Sequence, residues 1–241
     1  MLYPVSTLVL APILIGQGSY VRRVTPRLPE PEGRRHGAVG KGPELRLLIL
    51  GDSAAAGVGV SRQEDALSGQ LAGDLARDYR VTWSLLAETG HTAADVLETL
   101  GSAPENQYDV VLVSVGVNDV TGRTSNQQWC ARVRELADRL VKNLGAPCVF
   151  FTAIPPMHVF PALPQPLRWY LGMRARQLNG LLENLCNRDD NLEYLRVSFP
   201  FEPGFIATDG FHPGHDAYRL WAEHSAAAIR RRLVTTPFPQ G

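Results

Sequence analysis

The chain has 241 residues, 44% of them hydrophobic and 20% charged, a composition that suits one soluble globular domain with an appended segment. Its 24 basic and 24 acidic side chains cancel, so nothing in the balance calls for a nucleic acid or another polyanionic partner. Three cysteines, Cys130, Cys148 and Cys186, lack metal-ligand spacing, and their odd number argues against a disulfide framework.

The first 16 residues are apolar, but Pro4 and Pro12 interrupt them, and they fall short of the about 20 residues of a membrane span. The basic residues Arg22, Arg23 and Arg27 follow this run, whereas a secretory signal carries its charge in front. The expectation is a hydrophobic arm folded back on the domain and a cytoplasmic protein, with interfacial membrane contact through the arm as the alternative. Residues 25–42 are rich in Pro, Gly and Arg and read as a linker or wrapping segment. The chain therefore divides into residues 1–42 (arm and linker), 43–235 (the domain) and 236–241 (a tail).

From Glu44 onward, short apolar runs alternate with amphipathic helices. The runs are Leu45–Leu50, Val81–Ala87, Asp109–Val115, Cys148–Ala153 and a weaker Leu192–Val197. Their hydrophobicity is continuous rather than alternating, which predicts strands of a parallel sheet buried on both faces. Ser61 and Glu64 read as a capping box for a helix with Leu67, Leu71 and Leu75 on its inner stripe, and Ser125 with Gln128 as another before Trp129. The last helix is predicted over residues 216–233, with Leu220, Ala227 and Ile229 facing inward. Five such alternations predict a doubly wound α/β sandwich, which binds ligands beyond the carboxyl ends of its strands.

The residues just after those runs are the informative ones. The first run is followed by Gly51-Asp52-Ser53, the second by Thr89-Gly90-His91, the third by Gly116-Val117-Asn118-Asp119. Near the C-terminus stands Asp209-Gly210-Phe211-His212. Taken singly, each is an ordinary turn or cap. Together, four loops at one sheet edge deliver the complementary parts of an acyl-transfer site. A serine hydroxyl is a weak nucleophile and needs a base, for which His212 is suited. The imidazole needs an orienting acceptor, and Asp209 is the nearest. The oxyanion needs donors, which the backbone N–H groups of Ser53 and Gly90 and the side-chain amide of Asn118 would supply. Asp52 and Asp119 are expected to bond the strand-end turns, His91 to line the cleft, and His215 to serve the last helix.

These four blocks, in this order, resemble those of the SGNH hydrolase superfamily, also called GDSL esterases and lipases. The resemblance spans about Leu45 to Pro213. It implies a flavodoxin-like three-layer α/β/α sandwich with a five-stranded parallel sheet and cofactor-free and metal-free hydrolysis of esters through an acyl-enzyme. Ser53, Asp209 and His212 would be catalytic, and Ser53, Gly90 and Asn118 would form the oxyanion hole. Two features depart from the pattern. Ala54 replaces the leucine of the GDSL name, and about 40 residues precede the core.

Other readings of an α/β sandwich fit less well. A P-loop is missing its upstream glycine and its Ser/Thr around Gly40-Lys41-Gly42, and no G-x-S-x-G elbow occurs. A non-catalytic binding module would be expected to have lost one of the chemical groups. An acyltransferase or a carbohydrate acetyl esterase would use the same residues. The expected substrate is a small-molecule carboxylic ester, short-chain acyl esters leading. Residues 154–173 hold five prolines together with Met157, Phe160, Leu163 and Trp169, an ordered apolar loop expected to line the acyl pocket.

Overall fold

A computed structural model of the chain describes residues 3–101, 107–122, 124–200, 202 and 204–235, with side chains described between residues 10 and 234. The proposed tail at 236–241 lies outside the described residues. Helix α1 (Tyr3–Val24) is followed by strands β1 (His36–Val39) and β2 (Glu44–Gly51), the short helix α2 (Ser53–Ala56) and α3 (Leu67–Leu75). Next come β3 (Arg80–Ala87), α4 (Ala93–Leu100), β4 (Val110–Ser114), α5 (Val117–Thr121), α6 (Asn126–Lys142) and β5 (Val149–Thr152). A 3₁₀ turn at Met157–Val159, α7 (Leu167–Cys186), β6 (Leu192–Leu195) and α8 (His215–Thr235) complete the order.

The sheet runs β1-β3-β2-β4-β5-β6, and all its pairings are parallel except β1 with β3. The five predicted strands are present and form the parallel part, in the flavodoxin-like order with a switch point beside β2. A sixth, β1, adds an antiparallel edge. The sequence reading placed residues 36–39 in a linker, but Val39 lies opposite Val81 and His36 opposite Ser84, so the sheet begins before residue 43. The segment is too short and too exposed to carry a hydrophobic signal, and the free edge of β3 is what recruits it.

Successive strand residues feed two separate cores. Leu48, Leu50, Val111, Val113 and Phe151 face α4, α6 and α7, while Leu45, Leu47, Ile49, Val110, Leu112 and Phe150 face α3 and α8. Both sides are dry, which is why the runs read as continuous apolar stretches.

Helix starts are mixed in their agreement with sequence. Ser125 Oγ accepts from Gln128 N, and Gln128 Oε1 accepts from Ser125 N, as the pattern predicts. The Ser61/Glu64 box does not form. Helix α3 starts at Leu67 behind Ala66, with no side-chain cap, because residues 61–63 are drawn into a backbone bridge with Glu32 of the wrapping segment. Gln63 is instead the buried polar residue there, donating to Ser68 Oγ at 2.8 Å. In α8, Ile229 is buried, but Ala227 is exposed and Leu220 only half-buried. Tyr218 and Trp221 take the inner face, stacked on each other, and the Tyr218 hydroxyl donates to Val58 O at 2.7 Å, which sets the rotation of the helix. All three cysteines are free thiols, and burial pushes the Cys148 thiol up to about 11 and Cys186 up to about 12, so neither is a ready nucleophile.

Trp129 of α6 is fully buried, donates Nε1–H to Leu178 O at 3.2 Å, and lies against the Gly116 backbone ahead of Asn118. Truncation to alanine should cost about 3–5 kcal/mol and lower Tm by roughly 6–20 °C. Thermal unfolding followed by circular dichroism checks this, and a fall of under about 2 °C would contradict the packing described.

Candidate active site

Strand register assembles the site. Gly51 at the end of β2 lies opposite Ala87 of β3 and opposite Ser114 of β4. Ser53, Gly90 and Asn118 therefore follow two, three and four residues after one row of three adjacent positions. Gly51 has to lack a side chain: a Cβ would stand 2.0 Å from Ser114 O and 2.7 Å from the Ala55 Cβ. Behind Ser53, Asp52 caps α2 by accepting from Ala54 N at 3.1 Å.

The second half of the site comes from the loop between β6 and α8. Ala207 N donates to His212 O, and an isolated bridge joins Ile206 to Pro213, so the loop closes on itself. Asp209, almost fully buried, accepts at Oδ1 from the N–H groups of Phe211 and His212, both at 3.0 Å. Its Oδ2 lies 2.5 Å from His212 Nδ1. Burial opposes ionisation of Asp209, but the His212 ring and the two backbone donors outweigh it and hold the carboxyl below its usual range. An ionised carboxylate is acceptor-only, so His212 Nδ1 carries the proton. That leaves Nε2 as the acceptor for the Ser53 hydroxyl, 2.9 Å away. Asp209, His212 and Ser53 thus form one hydrogen-bonded line across 159 residues of sequence.

At the other end of the row, Asn118 in α5 donates one Nδ2–H to His91 O at 2.9 Å. An amide has two such hydrogens, so the second remains free for a ligand. Asp119 accepts from Ala93 N at 3.0 Å and ties the same two loops together. Gly90 has φ +94°, a left-handed conformation that favours glycine.

Residues 49–220 match the GDSL-like Lipase/Acylhydrolase family. The chain belongs to that family.

Membership makes it a hydrolase of the esterase and acylhydrolase kind. It is similar to the GDSL-like esterase Rv1075c of Mycobacterium tuberculosis, 28% identical over 248 residues that cover 92% of this chain and 77% of that protein. Among solved structures it resembles a family two carbohydrate esterase from Clostridium thermocellum, with TM-score 0.64 and 17% identity. That match covers 80% of this chain and 66% of the other, so this chain spans a little under two thirds of that esterase's length. The lipase/acylhydrolase of Enterococcus faecalis superposes with TM-score 0.56 at 19% identity, covering 78% of this chain and 96% of that one. At such identities these structures speak for the fold, an α/β sandwich with a mostly parallel sheet flanked by helices.

Two cavities of the hydrolase flank the Ser53–His212 pair. One, about 560 Å³, touches Ser53 and His212 and runs under β5 and β6 past Ile154, Phe160 and Phe199. The other, about 1380 Å³, touches Asn118 and His212 and opens between β3, α7 and α1. The predicted loop residues divide between these surroundings. Phe160 lines the smaller cavity and packs edge-on against Phe211 with ring centroids 5.1 Å apart; Leu163 lines the larger. Met157 is sealed in the core and Trp169 is exposed, so neither borders these two cavities. The loop itself is tied to the Asp209–His212 segment, Ala162 N bonding Gly210 O.

What sequence reasoning missed is the contact that the wrapping segment makes beside the site. Glu30 Oε1 accepts from Thr89 N (2.8 Å) and Thr89 Oγ1 (2.7 Å), and its Oε2 accepts from Arg35 Nη1 (2.8 Å), fixing the loop next to Gly90. A lone Glu in a Pro-rich stretch gives no signal of this. Among the described residues no group of three His, Cys, Asp or Glu side chains is placed to hold a metal ion.

Asp52 generates a test. Complete burial pushes its carboxyl up to about 7, against the Ala54 N–H bond and the pull of His212. Between its ordinary range and about 7, the folded protein holds a proton that the unfolded chain has released, so stability falls as pH rises through that window. Asp52→Asn keeps an acceptor for Ala54 N and cannot ionise. Urea unfolding of both proteins from pH 5 to 7.5 should show the balance of stability shifting toward the variant as pH rises. Parallel pH profiles would refute the assignment.

Proposed function

We propose that the chain hydrolyses carboxylic esters through an acyl-enzyme on Ser53. The observation that carries this reading is the unbroken line from the Asp209 carboxylate through the His212 ring to the Ser53 hydroxyl. Ser53 Oγ attacks the ester carbonyl carbon while His212 Nε2 takes its proton. Asp209 keeps the imidazole in the tautomer that can do so and stabilises it once it is charged. The carbonyl oxygen, now negative, is met by the free Nδ2–H of Asn118 and by the N–H groups of Gly90 and Ser53, the latter being the first residue of a helix and without an intrahelical acceptor. Such a donor contributes about 2.7–4 kcal/mol to the transition state. Collapse of the intermediate expels the alcohol, which receives the proton from His212. Water then repeats the sequence on the Ser53 ester, with His212 again as base, releasing the carboxylic acid and restoring the hydroxyl.

This reading assigns Asp52 and Asp119 to holding the loops in place.

A fluorophosphonate probe should add to the intact protein once, with the adduct mapped to the Ser53 peptide and missing from Ser53→Ala. Hydrolysis of a p-nitrophenyl ester should vanish in the same variant while the circular dichroism spectrum is kept. A folded Ser53→Ala protein with near-native turnover would refute the nucleophile. Asn118→Ala should lower kcat by about 10²–10³ with little change in KM, because the donor acts on charge that develops only in the transition state. If Asn118 only ties the His91 loop, Tm falls and kcat per folded molecule stays near native.

A further inference from the structure

We propose that the outward face of helix α1, with the arginines that end and follow it, docks on an anionic lipid surface, so that the protein binds a membrane interface without crossing it. This docking is independent of the esterase reading above: it sets where the protein sits, not what it cleaves.

Helix α1 is covered on one side only. Leu10, Leu14 and Val21 pack on the core that also contains α7, and Leu14 is 8% exposed. Gln17 pins that side: its Nε2 donates to Gln165 O at 2.6 Å and its Oε1 accepts from Leu167 N at 3.0 Å. The other side is apolar as well. Ile13, Tyr20 and Val24 follow one another at i, i+7 and i+11, so they share a stripe, and they are 50%, 56% and 50% exposed. Gly16 continues that stripe between Ile13 and Tyr20 and adds no side chain to shield them. None of the three lines either cavity described above, so an occupant of those cavities would leave them bare.

Seven large hydrophobic side chains are exposed among the described residues. Four stand on α1, the fourth being Ile15, and a fifth, Trp169, stands in the first turn of α7, two residues past Leu167. Single exposed apolar residues are ordinary, but five gathered on two helices that Gln17 joins mark a contact site. Tyr20 and Trp169 are also the aromatic types that suit a boundary between an apolar layer and water.

Charge selects the partner. The chain is neutral overall, yet its first 29 residues contain three arginines, Arg22, Arg23 and Arg27, and no Asp or Glu. All three are exposed and form no ion pair among the described residues. A second copy of the helix would bring three more arginines and no carboxylate. An anionic lipid surface supplies counter-charge and apolar depth together, and a helix lying in the interface uses both. No described helix is long and apolar enough to cross a membrane. With its inner side bound to α7, α1 can bury only its outer stripe.

Co-sedimentation of the full chain with vesicles tests this, using phosphatidylcholine alone and phosphatidylcholine with about one third phosphatidylglycerol. The native chain should bind the mixed vesicles more tightly than the neutral ones, and less so as salt rises from about 0.1 M to about 1 M. Arg23→Gln should weaken binding to the mixed vesicles about fivefold and leave binding to the neutral ones unchanged. Ile13→Gln/Tyr20→Gln should weaken binding to both by about tenfold or more. Glutamine is a good helix former, so both variants should fold, which circular dichroism checks. Val39→Gln, at the exposed apolar residue of β1, should bind as the native protein does. No binding of the native chain to the mixed vesicles, equal affinity for both kinds, or an equal loss in Val39→Gln overturns the proposal. So does a native dimer that Ile13→Gln/Tyr20→Gln dissociates, which would make the stripe a contact between copies.

Discussion

Gly51 stands opposite Ala87 on one side and Ser114 on the other, and the site follows from that row. The three loops that leave these positions carry Ser53, Gly90 and Asn118, so a slip of one residue in either pairing would send one of the three to the wrong height and reverse the faces of a strand. The close approach of Ser114 O to Gly51 is compatible only with a glycine there, and the Asp52 N–H takes up that same carbonyl at 3.0 Å. Farther along the same pairing, Arg46 of β2 holds the Asp109 carboxylate through its backbone N–H and its guanidinium, both at 2.7 Å, a contact that a slipped β2 would lose.

Electrostatics then separates three buried carboxyl groups, Asp209, Asp52 and Asp119, at this sheet edge. Asp209 receives two backbone N–H bonds and the histidine ring, which outweigh its desolvation and keep it charged. Asp52 is more deeply desolvated, and that outweighs its backbone donors and pushes it up to about 7. Asp119 accepts from Ala93 N and Thr124, yet burial still raises it. The balance of desolvation against bonds to the charged form, with the His212 ring on the side of Asp209, is thus what separates Asp209 from the other two. Environments that drive neighbouring carboxyls apart are how one site assigns them different tasks.

The strands and the chemical blocks were legible because both are local. A strand buried on both faces writes a run of Val, Ile and Leu, and each loop that follows it holds its functional residue within four positions of the strand end. The features that escaped are set by distant partners. Ser61 and Glu64 form a sound capping pattern, but Glu32 claims the backbone they would organise. Residues 36–39 become a strand only because β3 has a free edge. The rotation of α8 is decided by the Tyr218 hydroxyl reaching Val58, and no periodicity of Leu220, Ala227 and Ile229 encodes that bond. Met157 and Trp169 looked like pocket residues because they are apolar in a Pro-rich loop, yet one is buried in the core and the other lies in solvent, a difference that composition alone does not carry.

The same distinction separates reaction from specificity. Chemistry needs atoms placed to a few tenths of an ångström, and the protein obtains that from rigid strand ends. Walls for a substrate need only surface of the right polarity, which any segment able to reach the edge can provide. Helix α1, which precedes the parallel strands altogether, is such a segment in position if not in shown role: Leu10, Leu14, Gln17 and Val21 recur at helical spacing and fall on the face turned toward α7. That stripe could have been read from the sequence, since its period is intact despite Pro12 within the helix. Its partner could not, because an amphipathic face states that something covers it and leaves open what does. Gln17 answers that question in the structure, its amide bonding both Gln165 O and Leu167 N, and so an arm outside the matched residues 49–220 is docked at the entrance of α7.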